Sequence, residues 1–237
     1  MARMQRGRAW RLAFLLVAGS MAYPAAALDV VVTRHAETLA NVTKDYSAFN
    51  QRHFTEAGTK QIAALTAALD GIRFDAILVS PAYRTLKTVE PYLKQSGQSA
   101  EIWPELDECC WQLLREGATS PPGLPILLET EQRPLFFLRA DAPVVVPGNE
   151  SYDEGVRRIR AAAEAFRARW SGTEAVVLVV AHQHTGSRLV ETLLGEAPEG
   201  RYRIENARFT HLREEGGRFV LVELNGADVR VEQAVHP

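Results

Sequence analysis

Two short runs, Val30-Val31-Val32 and Val176-Val177-Leu178-Val179-Val180, are apolar at every position. Successive side chains of a strand point to opposite faces, so a strand with one wet face alternates polar and apolar residues. A run with no polar member must be covered on both sides, as in the parallel sheet of an α/β domain. Strand-length apolar runs are expected at Leu28–Thr33, Ala76–Val79, Ala175–Ala181 and Phe219–Leu224, with a weaker one at Glu101–Trp103. Helical spacing falls between them. Ile62, Leu65 and Leu69 follow Thr55, a suitable N-cap, and stop at Gly71; Leu86, Val89 and Leu93 lie between Pro81 and Gly97, with Pro91 expected to kink or break the helix; good helix formers run from Glu150 to about Trp170. The alternation predicts a three-layer α/β/α sandwich with a mostly parallel central sheet.

The composition, 46% hydrophobic and 24% charged over 237 residues, suits one globular domain with a substantial core. Residues 1–27 form a separate object. Arg3, Arg6, Arg8 and Arg11 precede the apolar stretch Leu12 to Ala22, and Tyr23-Pro24-Ala25-Ala26-Ala27 offers small residues to a peptidase. The pattern reads as a secretory signal peptide. The apolar stretch is shorter than the roughly 20 residues that span a bilayer, which disfavours an uncleaved anchor. The expectation is a domain over 28–237, periplasmic or secreted, with no stable membrane anchor after cleavage. Removing the segment lowers Lys plus Arg from 27 to 23 against 29 acidic residues, so the domain is net acidic. That excludes a generally basic nucleic-acid binder. Cys109 and Cys110 are adjacent and cannot staple a long loop. Two thiols, a vicinal disulfide and an intermolecular bridge all stay open.

The stretch Trp111 to Gly148 is interrupted by Pro121, Pro122, Pro125, Pro134, Pro143 and Pro147, and is expected to be an insertion lying over a site. In open α/β sheets that site is outside the carboxyl ends of the strands. Three strand exits carry related chemistry: Arg34-His35, Ser80-Pro81-Ala82-Tyr83-Arg84, and Ala181-His182-Gln183-His184. Arginines and histidines converging on one edge make an anion site, since the guanidinium fork matches phosphate or carboxylate oxygens. His182 and His184 also suggest zinc by spacing, but Arg34 and Arg84 would repel a dication and no cysteine or carboxylate accompanies the pair. His53, His211 and His236 have no motif around them and are read as surface or structural residues.

Taken in order, these residues resemble the histidine phosphatase superfamily, in the branch that includes phosphoglycerate mutase and many small phosphatases. Arg34-His35-Ala36-Glu37-Thr38-Leu39-Ala40-Asn41 is similar to that family's Arg-His-Gly-Glu-Thr-x-x-Asn, with alanine in place of glycine. Phe54-Thr55-Glu56-Ala57-Gly58-Thr59-Lys60-Gln61, the stretch Ser80 to Thr88, Leu106-Asp107-Glu108, Gly148-Asn149-Glu150-Ser151 and Ala181-His182 follow further family segments. Gln183 and His184 stand where the family usually has Gly-Gly.

The resemblance implies a phosphoglycerate mutase-like fold and an exported phosphomonoesterase acting on a small-molecule phosphate ester. It makes His35 the nucleophile that forms a phosphohistidine, and Arg34, Arg84, Asn41 and a protonated His182 the holders of the phosphoryl oxygens. Glu108 becomes the general acid and Glu37 a support for Arg34 or the loop. No cofactor or metal is expected, because the arginines supply the positive charge. Arg115, Arg133 and Arg139 stand ready either to meet a second anionic group or merely to be solvated. The alternatives are a phosphate-transferring mutase and a catalytically silent anion-binding protein. Substrate identity and oligomeric state are left open.

Overall fold

In the computed structural model, which describes residues 27–114, 117–139 and 141–231, the two wholly apolar runs become neighbouring central strands. β1 (Asp29–Arg34) and β5 (Val176–Ala181) lie parallel, with Val30 opposite Val177 and Arg34 opposite Ala181. β2 (Ala76–Val79), β3 (Ala100–Ile102) and β4 (Phe136–Leu138) extend the sheet on one side, all parallel; β6 (Phe209–Glu215) and β7 (Arg218–Gly226) complete it on the other, both antiparallel to their neighbours. The order is β4-β3-β2-β5-β1-β6-β7. The expected mostly parallel α/β/α sandwich is what the chain forms. The expected signal segment lies outside the described residues except for Ala27, as do Arg115 and His236.

Alternation along Val30–Val32, inside β1, shows why that run has no polar member. Val30 and Val32 enter a core with Ile159, Ala163 and Phe166 of α5 (Tyr152–Trp170) and Leu189, Val190 and Leu193 of α6 (Gln183–Leu194). Val31 points to the opposite core, with Leu65 of α3 (Glu56–Ala68) and Leu86, Val89 and Leu93 of α4 (Tyr83–Ser96). Two short helices, α1 (Leu39–Thr43) and α2 (Ala48–Arg52), fill the connection from β1 to α3.

The punctuation read from the sequence matches the helix ends. Thr55 caps α3 by accepting the Gly58 amide at 2.9 Å, and Gly97 closes α4 in the left-handed conformation, φ +68°. Ser151 and Glu154 form a capping box that starts α5. Pro91 neither ends nor divides α4; it sits inside the helix on its exposed side.

Three larger elements had no counterpart in the apolar pattern. β4 adds three residues of the proline-rich stretch to the edge of the sheet, with Phe136 buried, so that stretch is only partly an insertion. α6 opens on the polar residues Gln183-His184-Thr185 and contains Gly186, which masks its later Leu189-Val190-Leu193 stripe. β6 reads as polar because His211 and Arg213 lie in it, yet His211 Nε2 is 2.6 Å and Arg213 Nε 2.9 Å from Oδ1 of Asp29 on β1. Polar residues are buried here because they answer one another.

That cluster has a measurable consequence. Burial alone would raise the Asp29 carboxyl, but hydrogen bonds and charge from His211 and Arg213 outweigh it and hold the group below its ordinary value. A carboxylate with a depressed folded-state pKa contributes stability that is fully present above the unfolded value, about 3.9, and is lost as pH falls through the folded one. Asp29→Asn is expected to cost about 2 kcal/mol at neutral pH, since it removes the carboxylate charge from the hydrogen bonds with His211 and Arg213. In denaturant titrations the gap to wild type should narrow below about pH 4. A gap that persists unchanged there would contradict the assignment.

Candidate active site

The carboxyl ends of β1, β2 and β5 deliver Arg34-His35, Ser80 and Ala181-His182 to one point, where the two imidazoles meet edge to face with centroids 5.3 Å apart. His35 is 3% exposed. Its Nδ1 lies 2.8 Å from the Ala36 carbonyl, so Nδ1 carries the proton and Nε2 the lone pair; Nε2 in turn accepts from Arg84 Nε at 3.2 Å. Burial, then the charges of Arg84 and Arg34, push His35 well below the ordinary histidine value, against a smaller opposing effect of the Ala36 hydrogen bond. The ring is therefore a neutral base with its free electron pair facing a cation.

His182 differs from expectation. It is fully buried, and burial together with Arg84, His35 and Arg34 also drives it well below the ordinary value. Burial first, and the neighbouring Arg84 and Arg34 charges after it, thus oppose the protonated form that was expected. Its Nε2 is 2.7 Å from Ser80 Oγ, while its Nδ1 is buried without a protein partner.

Each arginine is held by a glutamine. Arg34 donates from Nη1 to Gln183 Oε1 at 2.9 Å and to the Ile204 carbonyl at 3.4 Å; Arg84 donates from Nη1 to Gln51 Oε1 at 2.9 Å. Arg34 Nε, like His182 Nδ1, is buried with no partner. Buried polar nitrogens without partners are costly and call for a ligand. Here one of them belongs to a guanidinium, with a second guanidinium close by, and the pair fits an oxyanion.

The loop after β1 is fixed from three directions. The Ala36 amide donates to Thr88 Oγ1 at 2.9 Å, and Ala36 lies fully buried without a positive φ, so alanine fits where the family motif has glycine. Glu37 supports the loop rather than Arg34: its Oε1 accepts the Thr55 hydroxyl at 2.7 Å and its amide donates to Gln61 at 2.8 Å. Gly58 lies so close to the Glu37 carbonyl that a Cβ there would stand 2.0 Å from the oxygen, so any side chain would push α3 off the loop. Asn206 donates to the His35 carbonyl at 2.7 Å. Asn41 turns its Oδ1 back to cap α1 through the Thr38 amide at 2.9 Å.

Glu108 faces the site from the loop after β3. Its Oε1 accepts the backbone amide of Thr185, in the first turn of α6, at 3.1 Å, and its charge acts on both Arg34 and Arg84. Asp107 lies beside it, raised by burial, with Oδ1 3.5 Å from Ser80 Oγ. Arg158 of α5 binds the carbonyls of Glu105 and Asp107 at 2.6 and 3.1 Å while held by both carboxylate oxygens of Glu150. The Glu150-Ser151 segment thus places the acidic loop at second hand.

Beyond the clamp, Glu129 ties the proline-rich stretch to the site wall through Arg52 at 2.9 Å and Lys87 at 3.3 Å. Arg139 is not available to a second anion: it pairs with Glu105 and Asp141 and lies over Trp103. Arg133 is exposed. Among the described residues no His, Cys, Asp and Glu group is arranged to hold a metal ion. Gln51, Asn206, Thr185 and Arg158 escaped sequence reasoning; they act by hydrogen bonds from distant segments and leave no periodic or motif signal.

The profile of the histidine phosphatase superfamily (branch 1) matches residues 30–227. The adenosylcobalamin/alpha-ribazole phosphatase of Escherichia coli K12 is 26% identical over 197 residues, covering 81% of this chain and 88% of that protein. Among solved structures, a putative alpha-ribazole-5'-P phosphatase from E. coli superposes with TM-score 0.63 at 24% identity, covering 86% of this chain and 99% of that one. The phosphoglycerate mutase of Bacillus anthracis superposes with TM-score 0.58 at 19% identity, covering 86% and 95%. At these identities the structural likenesses speak to the fold.

The charge arrangement predicts how His35 titrates. In an NMR titration its ring should resist protonation as pH falls through 6.5, and Arg84→Gln, which removes the larger of the two charges opposing protonation, should move its midpoint upward. The same variant should weaken binding of inorganic phosphate roughly tenfold or more, as loss of a charge-assisted hydrogen bond does. A His35 midpoint that is ordinary in wild type would overturn the reading.

Proposed function

The chain belongs to branch 1 of the histidine phosphatase superfamily, and on that premise we propose that it is an exported phosphomonoesterase working through a phosphohistidine at His35. The observation that carries this reading is the neutral His35 ring, proton on Nδ1 and lone pair on Nε2, lodged among Arg34, Arg84 and His182. A phosphate ester entering the clamp takes Arg84 from Nε2 onto its oxygens, and the freed lone pair attacks phosphorus. Arg34 Nε and His182 Nδ1 gain the partners they lack; once a dianion offsets the arginines, His182 is free to take up a proton. Asn41 can meet an oxygen through its amide nitrogen while Oδ1 stays on Thr38.

As the ester bond breaks, its electrons stay with the alcohol oxygen, and Glu108 in its protonated form gives that oxygen a proton. The resulting carboxylate takes a proton from water, whose oxygen attacks phosphorus; the P–N bond breaks and the electron pair returns to Nε2. Every positive charge in this sequence belongs to the chain, so the scheme needs no metal or cofactor.

The likeness to a protein named for an alpha-ribazole phosphatase supports a small-molecule ester as substrate. A mutase shares the fold, but a mutase must shelter the phosphohistidine from water, and export, read from the basic and apolar start of the sequence, favours hydrolysis. A silent binding protein has no need of the Glu108 tether beside an intact nucleophile.

The test offers purified protein a panel of phosphomonoesters, with and without chelator, beside His35→Ala. Release of phosphate should survive the chelator and fall by a factor of 10³ or more in the variant, as when a nucleophile is removed. Turnover that survives loss of His35 would end the mechanism. Preferential transfer to an added alcohol would favour the mutase, and no turnover of any ester the binding role.

A further inference from the structure

Directly after Glu108 the chain carries a disulfide between neighbours, Cys109 and Cys110, whose Cα atoms are 3.8 Å apart. Of the three states left open by the sequence, the structure has the vicinal one. Both residues are buried, at 0 and 1% exposure. Cys110 has φ +66°, a left-handed conformation unusual for a residue with a side chain.

What the pair touches matters more than its presence. The Cys109 amide donates to Thr185 Oγ1 at 3.1 Å, and the same hydroxyl donates to the Asp107 carbonyl at 2.8 Å. The Thr185 amide meanwhile donates to Glu108 Oε1. One residue of α6 therefore anchors 107, 108 and 109 in sequence. On the other side the sulfurs rest on α5 at Gly155, where a Cβ would stand 2.9 Å from Cys109 Cβ, 3.2 Å from Cys110 Sγ and 3.3 Å from Cys109 Sγ. The seat has room for the closed pair and no residue larger than glycine beneath it.

We propose that the Cys109–Cys110 disulfide is a positioning element for Glu108: it locks the backbone that follows the general acid, so that the carboxyl reaches the leaving oxygen only in the oxidised protein. Opening it by a dithiol consumes two electrons and two protons, converts the S–S bond to two thiols and turns the dithiol into its own disulfide. The chain at Cys110 is then released from the left-handed conformation. The loop that loses its lock carries Glu108, while Arg34, His35, Arg84 and His182 stand on other elements. Reduction should therefore impair acid catalysis and spare the phosphate clamp. The inference rests on the phosphatase reading of the site.

The test separates these two parts of the site by leaving group. An alkyl phosphate needs its departing oxygen protonated; 4-nitrophenyl phosphate departs as a stable anion and needs little help. Protein purified without reductant should show no alkylatable thiol when denatured, and after phosphine treatment it should show two. Reduction, and separately Cys109→Ser/Cys110→Ser, should lower kcat for the alkyl ester about a hundredfold, the order contributed by a general acid. The 4-nitrophenyl ester should lose less than about threefold, and inhibition by inorganic phosphate should be unchanged. Gly155→Ala should reproduce the pattern, because its methyl displaces the pair. Should the double serine variant fail to fold, phosphine-reduced wild type supplies the comparison.

Equal losses on both esters, or none, would overturn the proposal while leaving the phosphatase reading intact, as would two free thiols in the untreated protein. If the oxidised protein hydrolyses neither ester, the phosphatase reading fails and takes this inference with it.

Discussion

The rest of the site depends on positive charge gathered at the carboxyl ends of parallel strands with too little negative charge to cancel it. Arg34 and Arg84 flank two buried imidazoles, and each imidazole stays neutral because burial and the arginines oppose its protonation. Such an arrangement is expensive to fold, since partly buried cations lose some of the hydration they had in water. It is bearable because the strands that present it are covered on both faces by two hydrophobic cores, and because Glu108 and Asp107 return part of the missing charge from the loop after β3. The two unpartnered buried nitrogens, Arg34 Nε and His182 Nδ1, mark where a ligand would be met.

Neutral buried histidines also tie stability to pH. The unfolded chain binds protons at about pH 6.5, which the folded rings refuse, so below that value the folded state loses ground as pH falls. The sign is the same as for Asp29, at a higher pH. Function and folding thus pull against each other in this corner of the molecule.

The parts of the fold legible in the sequence were those whose burial is apolar. Val30–Val32 and Val176–Val180 announce a covered sheet, and Thr55, Gly97 and the Glu150-Ser151 region mark helix ends. β6 was illegible because buried His211 and half-buried Arg213 are polar and gain their partner, Asp29, from a strand some 180 positions earlier in the chain. α6 was hidden behind its polar first turn, which meets Arg34 through Gln183 and Glu108 through Thr185. For the site, motif spacing supplied the groups bearing charge or a lone pair. It could not supply Gln51, Asn206 or Arg158, whose role is to hold such groups, or the loops that carry them, through hydrogen bonds, a task that many residue types perform and that leaves no pattern.

The departures from the family pattern carry this distinction further. At 36 the substitution is silent, because the backbone there is one that alanine adopts freely and the new methyl is buried. At 183 it is not silent. A glycine would leave Arg34 Nη1 with only the longer bond to the Ile204 carbonyl, whereas Gln183 adds a 2.9 Å acceptor from the first turn of α6. The guanidinium is thereby tied to the helix whose Thr185 holds Glu108, so one helix terminus places both the Arg34 cation and the Glu108 carboxyl beside it. Coupling the two through a rigid element reduces what must be ordered when an ester binds, and preorganisation of that kind is where a site of this sort gains its rate.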